Sequence, residues 1–196
     1  LFRSVMRKGF TLVELSIILV IIGLIIGGVM KGKDLISSAE QKKIYNTWIK
    51  GWQVAANSYQ DRTGSILGDT NGNGQNNNIR LDNTVTVQDR LKAVGLDIPV
   101  GNIATSSGGS YKIKGKYSTS TAIARLMWRN TNDGAKNVLY ISGMPTDVAL
   151  AFDTMSDGVL DSSNGDFKRD GQAASPIPIP WPDASVTPTV NITLAL

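Results

Sequence analysis

The stretch RKGFTLVELSIILVIIGLIIGGVMKGK, residues 7–33, decides how this chain is organised. No charged residue occurs from Leu15 to Met30. The run that starts at Phe10 is about as long as the roughly 20 apolar residues that a helix needs to cross a bilayer. One carboxylate, that of Glu14, stands inside this run. Because an ionised carboxylate is costly in hydrocarbon, we expect Glu14 to have a partner and a function.

The composition fits one domain with an added membrane element. The chain has 196 residues, of which 41% are hydrophobic and 18% charged. Residues 1–50 carry eight Lys or Arg against three acids, whereas residues 51–196 carry twelve against thirteen. The basic excess therefore flanks the apolar run, as in a membrane topogenic segment. The remainder is nearly neutral, so the charge balance does not indicate a nucleic-acid partner.

The chain has no cysteine and no histidine. Disulfides, thiol nucleophiles, imidazole bases and the usual zinc ligands are therefore absent. No constellation of nucleophile and base is visible among the remaining residues, and we do not expect an enzyme.

A long helix is predicted from Phe10 to about residue 62. Beyond Lys31 apolar residues recur every three or four positions, with Trp48 and Trp52 among them, which indicates an amphipathic helix. Gly64 is the first strong stop signal. The two tryptophans are expected in the core, under a sheet.

The rest of the chain predicts an α+β head with a small antiparallel sheet. We expect loops over 64–83, 101–109 and 156–171 and short helices over 86–96 and 145–155. Strands are expected over 110–120, 122–131, 137–144 and 185–196, with a hairpin turn at 132–135 and an extended, proline-stiffened segment over 175–183.

The N-terminal motif resembles the signature of type IV pilins and of the related type II secretion pseudopilins. It consists of a short basic leader ending in Gly9, the aromatic Phe10, then Thr11-Leu-Val-Glu14 and unbroken apolar helix. The resemblance covers about residues 7–30. It implies that a prepilin peptidase cuts between Gly9 and Phe10 and methylates the new Phe10 amine. Since Met6 opens MRKG, we expect translation to start there or at a non-AUG codon at Leu1.

The resemblance divides the chain into four segments. They are a basic leader (1–9), a hydrophobic transmembrane and assembly helix (10–31), its amphipathic continuation (32–63) and the α+β head (64–196). The implied product is a homo-oligomeric helical filament, built by pilus or type II secretion assembly machinery. The precursor would lie in the bacterial inner membrane, and the filament outside the cell or, as a pseudopilus, in the periplasm.

For Glu14 the resemblance implies a pairing with the Phe10 amine of a neighbouring subunit. This pair would compensate two charges that are each costly alone, and it would favour one axial register. A second interpretation remains open, because Thr11 and Glu14 have capping-box spacing. A signal peptide, with SSA at 37–39 as its cleavage site, and an uncleaved membrane anchor are further alternatives.

Several features leave the kind of filament open. Gly23/Gly27 and Gly28/Gly32 have the four-residue spacing that permits close helix contact in membranes. Many major pilins carry a proline in this region, whereas the first proline here is Pro99. A type II secretion pseudopilin or a minor pilin is therefore the main alternative to a pilus subunit.

Weaker patterns suggest ligands. DTNGNG (69–74) matches the first half of a calcium loop, so Asp69, Asn71 and Asn73 are candidate Ca²⁺ ligands, although Arg80 occupies the twelfth position. The carboxylates of residues 153–166 are a second candidate, in composition only. Lys112, Lys114 and Lys116 alternate along a strand, which leaves a membrane-stalked DNA- or surface-binding module as a further alternative.

Overall fold

The computed structural model describes residues 9–82, 85–104, 107–131, 134–171 and 177–196. The leader residues 1–8 and the predicted turn residues 132 and 133 lie outside the described residues. The chain divides into two compact units, Leu1–Glu40 and Gln41–Leu196. The boundary at Glu40 differs from the one at residue 63 that the sequence suggests. The C-terminal part of the long helix belongs to the same compact unit as the head.

The predicted long helix is present. It consists of α1 (Leu12–Ile44), a π-helical turn (Tyr45–Ile49) and α2 (Lys50–Thr63). It ends at Gly64, whose positive φ of 69° favours glycine and whose N–H bonds to the Gln60 carbonyl at 2.8 Å. The π-helical turn was not expected from the sequence.

The described residues of the head form six strands and two further helices. These are β1 (Ile79–Arg80), α3 (Val85–Ala93), β2 (Ser110–Lys114), β3 (Thr119–Thr131), β4 (Gly134–Pro145), α4 (Thr146–Asp157), β5 (Phe167–Arg169) and β6 (Thr189–Ala195). All strand pairs are antiparallel, in the order β1-β3-β4-β6-β5, and β2 also pairs with β3. The predicted α+β fold, a long helix packed on a small antiparallel sheet, is therefore confirmed.

Several local expectations were wrong. The strand expected over 185–196 begins only at Thr189, and the helix expected over 86–96 ends at Ala93. The segment 64–83 is not all loop, because Ile79 and Arg80 pair with Leu126 and Arg125. The segment 156–171 likewise contains β5, which forms by pairing with β6. The strand expected over 110–120 breaks after Lys114, where the chain turns back into β3. The α4 helix begins one residue later than expected, because Pro145 is its N-cap and has an extended ψ of 132°.

One face of the sheet packs on the helix and forms the core. The inner side chains of the sheet include Ala124, Leu126, Leu139, Ile141 and Leu194, all with no exposed surface. From the helix, the buried aromatic and small residues are Tyr45, Trp48, Trp52, Ala55, Ala56 and Tyr59. Trp48 and Trp52 are fully buried, as the sequence predicted, and both indole N–H groups donate to the carbonyl of Gly108, at 2.8 and 3.1 Å.

Candidate functional site

The first turn of α1 is closed by a reciprocal capping box. The Glu14 carboxylate oxygen Oε2 accepts hydrogen bonds from the Thr11 N–H at 2.8 Å and from the Thr11 hydroxyl at 2.9 Å. In return, the Thr11 Oγ1 accepts from the Glu14 N–H at 3.2 Å. Thr11 precedes the first helical residue, so this is the arrangement that satisfies orphan donors at a helix start.

This cap uses only one of the two carboxylate oxygens. Within the described part of the chain, the Oε1 atom of Glu14 accepts no hydrogen bond. Capping within one chain and pairing with a second chain are therefore compatible. Phe10 is 78% exposed, and no atom outside the adjacent residues lies within 4 Å of a Cβ built on Gly9. Gly9 and Phe10 are both exposed among the described residues.

The apolar helix that follows buries none of its large side chains. From Phe10 to Met30 these side chains are 42–87% exposed. Fully burying one such side chain stabilises by about 1.5–3 kcal/mol, so a surface of this size strongly favours lipid or other helices over water. The helical run Leu12–Thr63 includes a window that is long and apolar enough to cross a membrane. The structure is therefore compatible with membrane anchoring.

The three candidate calcium ligands lie in one tight turn. The Asp69 carboxylate accepts the N–H groups of Asn71, Gly72 and Gly74 at 2.7–2.9 Å, and the Asn73 side-chain oxygen accepts the Gln75 N–H at 3.0 Å. Desolvation works against ionisation of Asp69, but the backbone donors outweigh it and lower its pKa. The loop thus satisfies its own polar groups.

The set of oxygens in this turn is incomplete for calcium, which takes six to eight oxygen ligands. Asp82 or an aspartate from elsewhere would have to complete the set, and Asp82 forms a two-point ion pair with Arg80, at 2.6 and 2.9 Å. Across the residues that the structure describes, no group of three or more His, Cys, Asp or Glu side chains is placed to hold a metal. Asp69, Asn71 and Asn73 would hold the ion only together with carbonyls or water.

The second candidate, the carboxylates of the segment 153–166, organises its own loop. Asp161 Oδ1 accepts from the N–H groups of Ser163 and Ile179, at 2.9 and 3.0 Å. Desolvation opposes ionisation, yet these hydrogen bonds, with those from the side chains of Ser163 and Asn164, lower the pKa of Asp161. The two oxygens of Asp157 accept from the N–H groups of Asp166 and Phe167. Backbone N–H groups therefore donate to the carboxylates of Asp157 and Asp161.

The three alternating lysines do not share one surface. Lys112 and Lys114 project from the outward face of β2 and are exposed, with the buried Ile113 between them. Lys116 lies in the turn after β2, with its Nζ 5.1 Å from the centre of the Tyr117 ring. Only the first two therefore belong to the sheet.

Sequence reasoning missed a group of cations on the sheet face turned away from the helix. The strand register places seven basic side chains on this outward face: Arg80, Lys112, Lys114, Arg125, Arg129, Lys136 and Lys168. None of the six strands contains an acidic residue. The sequence does show that these segments contain no acidic residues. That absence indicates a basic surface only once the strands are known to belong to one sheet.

Comparison with protein-family models, curated proteins and solved structures gave no match. The resemblance of the N-terminal motif to prepilins therefore rests on the residues themselves.

Proposed function

We propose that this protein is a structural subunit of a type IV pilus-like filament. The precursor would be held in the inner membrane by its apolar helix, cut between Gly9 and Phe10 and methylated at Phe10. Subunits would then polymerise through their N-terminal helices. The observation that carries the proposal is a membrane-length apolar run, Phe10 to Met30, in which every large apolar side chain is exposed and a single carboxylate, Glu14, lies in the first turn of the helix.

The electrostatics of this turn support assembly through a charge pair. Cleavage would create an α-amino group on Phe10 that is largely cationic at neutral pH. In an apolar filament core, a cation and a carboxylate are each costly unless they are paired. The unused Oε1 atom of Glu14 gives such an amine a place to bind. A subunit that joined in the wrong register would leave both charges unpaired, so the pair would also select the register.

The glycines of α1 supply surfaces for close packing. A Cβ built on Gly23, Gly27, Gly28 or Gly32 meets no atom within 4 Å apart from its chain neighbours and the backbone of its own helix turn. These positions are therefore open to a neighbouring helix, and small residues at a spacing of four let two helices approach. Their cost to the isolated helix, about 1 kcal/mol for each glycine relative to alanine, would be recovered on assembly.

The alternative is a type II secretion pseudopilin or a minor pilin. The absence of a proline between Phe10 and Gly64 favours this alternative by the same resemblance. The observation that decides between them is the abundance of the chain in purified filaments, since a major pilin is the bulk component and a minor pilin is not.

Processing is tested by mass spectrometry of the membrane-extracted protein. Cells with an active prepilin peptidase should yield an N-methylated Phe10 terminus, and peptidase-deficient cells the uncut precursor. Gly9→Val should block cutting, because a branched side chain then occupies the scissile position. Gly32→Val makes the same replacement away from that bond and should be cut normally. An uncut wild-type precursor in peptidase-active cells would refute the proposal.

A further inference from the structure

Three asparagines of the head are followed directly by glycine: Asn71, Asn73 and Asn164. In such a pair the glycine nitrogen attacks the side-chain carbonyl carbon of the asparagine, and ammonia is lost. Glycine favours this attack because it has no side chain to crowd the nitrogen. Two of the three pairs lie in the Asp69 loop (69–75), and all four of their residues are exposed. This loop therefore contains two candidate deamidation sites with the same dipeptide and the same access to water.

The side chain of Asn73 is held close to the attacking atom. Its Oδ1 atom accepts the N–H of Gln75 at 3.0 Å. The ring closed by this hydrogen bond runs through the Gly74 nitrogen, so the bond folds the side-chain amide back toward that nitrogen. The same bond polarises the carbonyl and stabilises the negative charge that its oxygen gains during the attack, as an oxyanion hole does.

A carboxylate contacts the attacking nitrogen. The Gly74 N–H donates to Oδ2 of Asp69 at 2.7 Å. Desolvation opposes ionisation, but the backbone donors lower the pKa of Asp69, so this carboxylate is ionised at neutral pH and accepts protons. Because a peptide group is planar, its N–H points within the plane, whereas the nitrogen attacks perpendicular to it. Donation to Asp69 therefore leaves the attacking side of Gly74 open.

We propose that Asn73 is a site of spontaneous deamidation, in which Asp69 acts as general base and the Gln75 N–H stabilises the oxyanion. The Gly74 nitrogen forms a bond to Cγ of Asn73, and its proton passes to Asp69. That proton then leaves with the side-chain NH2 as ammonia. The resulting cyclic imide adds water at either carbonyl, which gives aspartate or isoaspartate. Water is consumed and ammonia released, without oxidation or reduction.

The two products change the loop in different ways. Aspartate at position 73 adds a carboxylate beside that of Asp69, and the charge of the ligands tunes the affinity of an oxygen site for calcium. Isoaspartate inserts a methylene into the backbone, so the hydrogen bond to Gln75 cannot form with the same geometry. Deamidation therefore alters the charge and the shape of this exposed loop as the protein ages.

The other two pairs lack one part of this arrangement. The Gly72 N–H has the same carboxylate as its acceptor, at 2.7 Å. The side-chain oxygen of Asn71, however, lies 3.3 Å from the Thr70 hydroxyl and accepts from no backbone N–H within the described residues. The side-chain nitrogen of Asn164 donates to Asp161 at 2.6 Å, which holds the group that must leave. Both asparagines should therefore react more slowly than Asn73.

The test follows the three sites in the full chain, kept in uncharged detergent micelles at neutral pH. Samples taken over time are digested, and mass spectrometry of the peptides quantifies the replacement of NH2 by OH at each asparagine. Asn73 should deamidate at least about tenfold faster than Asn71, because only Asn73 has the backbone donor on its carbonyl. In urea, where the hydrogen bonds of the loop are lost, these two asparagines should react at similar rates.

Variants at the base test its role separately. Asp69→Asn should slow the deamidation of Asn73 by at least about tenfold. Asp69→Glu retains a carboxylate on a longer arm and should restore part of the rate. The matched control is Asp183→Asn, because this exposed carboxylate also accepts a backbone N–H, that of Ser185 at 2.8 Å, but lies outside the loop. It should leave the Asn73 rate unchanged.

Three results would overturn the proposal. The first is equal rates at Asn71 and Asn73 in the folded chain. The second is the same ratio of these rates in urea as in the folded chain, which would assign the difference to the sequence and not to the loop. The third is an Asn73 rate that Asp69→Asn leaves unchanged or that Asp69→Glu does not restore.

Discussion

The buried carboxylate of Asp153 accepts a hydrogen bond from the indole N–H of Trp181 at 2.7 Å. The same oxygen, Oδ2, accepts the Asp161 N–H at 2.9 Å, whereas Oδ1 has no partner within the described residues. Burial raises the pKa of Asp153 to about 6, and the nearby carboxylates of Asp157 and Asp161 act in the same direction against the two donors. The free energy of unfolding therefore depends on whether the Asp153 carboxyl is protonated.

The sign of this coupling predicts the behaviour of Asp153→Asn. The folded protein holds the proton up to about pH 6, whereas the unfolded chain loses it near 3.8. Because the folded state binds more protons between these values, the contribution of Asp153 to stability falls as the pH rises through this window. The asparagine variant has no such loss. Its melting temperature relative to the wild type should therefore rise from pH 4 to pH 7.

The measurement is a series of thermal melts across this pH range. The exposed Asp89→Asn, which removes one carboxylate away from the buried Asp153, serves as the control. Parallel curves for the wild type and Asp153→Asn would contradict the prediction.

Gly109→Ala should destabilise the head by steric overlap alone. A Cβ built on Gly109 lies 2.0 Å from the Leu81 carbonyl carbon and 2.2 Å from the Asp82 nitrogen. Overpacking of this kind costs about 1–3 kcal/mol or more. Near-ultraviolet circular dichroism of Trp48 and Trp52 follows the change, since both bond to the neighbouring Gly108 carbonyl.

The matched control for Gly109→Ala is Gly32→Ala. Neither glycine has a positive φ, and the Cβ at Gly32 meets open space. Gly32→Ala should leave the melting of the head unchanged. A melting temperature of Gly109→Ala equal to that of the wild type would show that the β1 region gives way without cost.

The long helix and the main hairpin follow from local sequence signals. The regular spacing of the apolar residues and the stop at Gly64 give the helix, and alternating runs give β3 and β4. By contrast, β1 and β5 have two and three residues, and they exist only through pairing with β3 and β6. No local pattern marks them. The π-helical turn was equally invisible, since Tyr45, Trp48 and Trp52 have ordinary helical spacing.

The candidate site likewise has one part that the local sequence predicts and one part that depends on strand pairing. The spacing of Thr11 and Glu14 predicted a capping box, which the structure contains, because both partners belong to one helical turn. The cationic face depends on which residues of β1, β3 and β5 lie opposite one another. Net charge conceals this face, because none of the acidic residues of the head belongs to the six strands.

Calcium binding at the Asp69 loop stays a prediction. If the loop binds Ca²⁺, a chelator should lower the melting temperature, and calcium at a hundredfold excess over Kd should stabilise by about 2.7 kcal/mol. Asp69→Asn removes the charge and keeps one of the two oxygens that accept from the loop N–H groups, so it should abolish the response to calcium. Asp157→Asn, at the last residue of α4 before the other acidic loop, is the control and should respond as the wild type. Equal melting with and without chelator would mean that the loop is held by its internal hydrogen bonds.

The Glu14 variants separate assembly from capping. Glu14→Ala should leave the monomer inserted and the head folded, because within the described residues the Glu14 side chain forms hydrogen bonds only with Thr11. In the filament, the Phe10 amine of a neighbour would lose its counter-ion, and removing one partner of a buried pair costs about 3–5 kcal/mol. This cost recurs with each added subunit, so filament yield should fall strongly. Glu14→Asp retains the charge on a shorter arm and should be intermediate.

Two further variants distinguish the pair from the cap. Glu14→Gln retains the acceptor of the capping box but loses the charge, so it should impair assembly much as Glu14→Ala does. Thr11→Ala removes half of the cap but retains the carboxylate. Since loss of a cap costs about 0.5–2 kcal/mol, this variant should assemble far better. The readout is filament yield relative to processed monomer in the membrane. If Glu14→Gln assembles normally while Thr11→Ala fails, Glu14 acts as a helix cap and the proposed intersubunit pair is wrong.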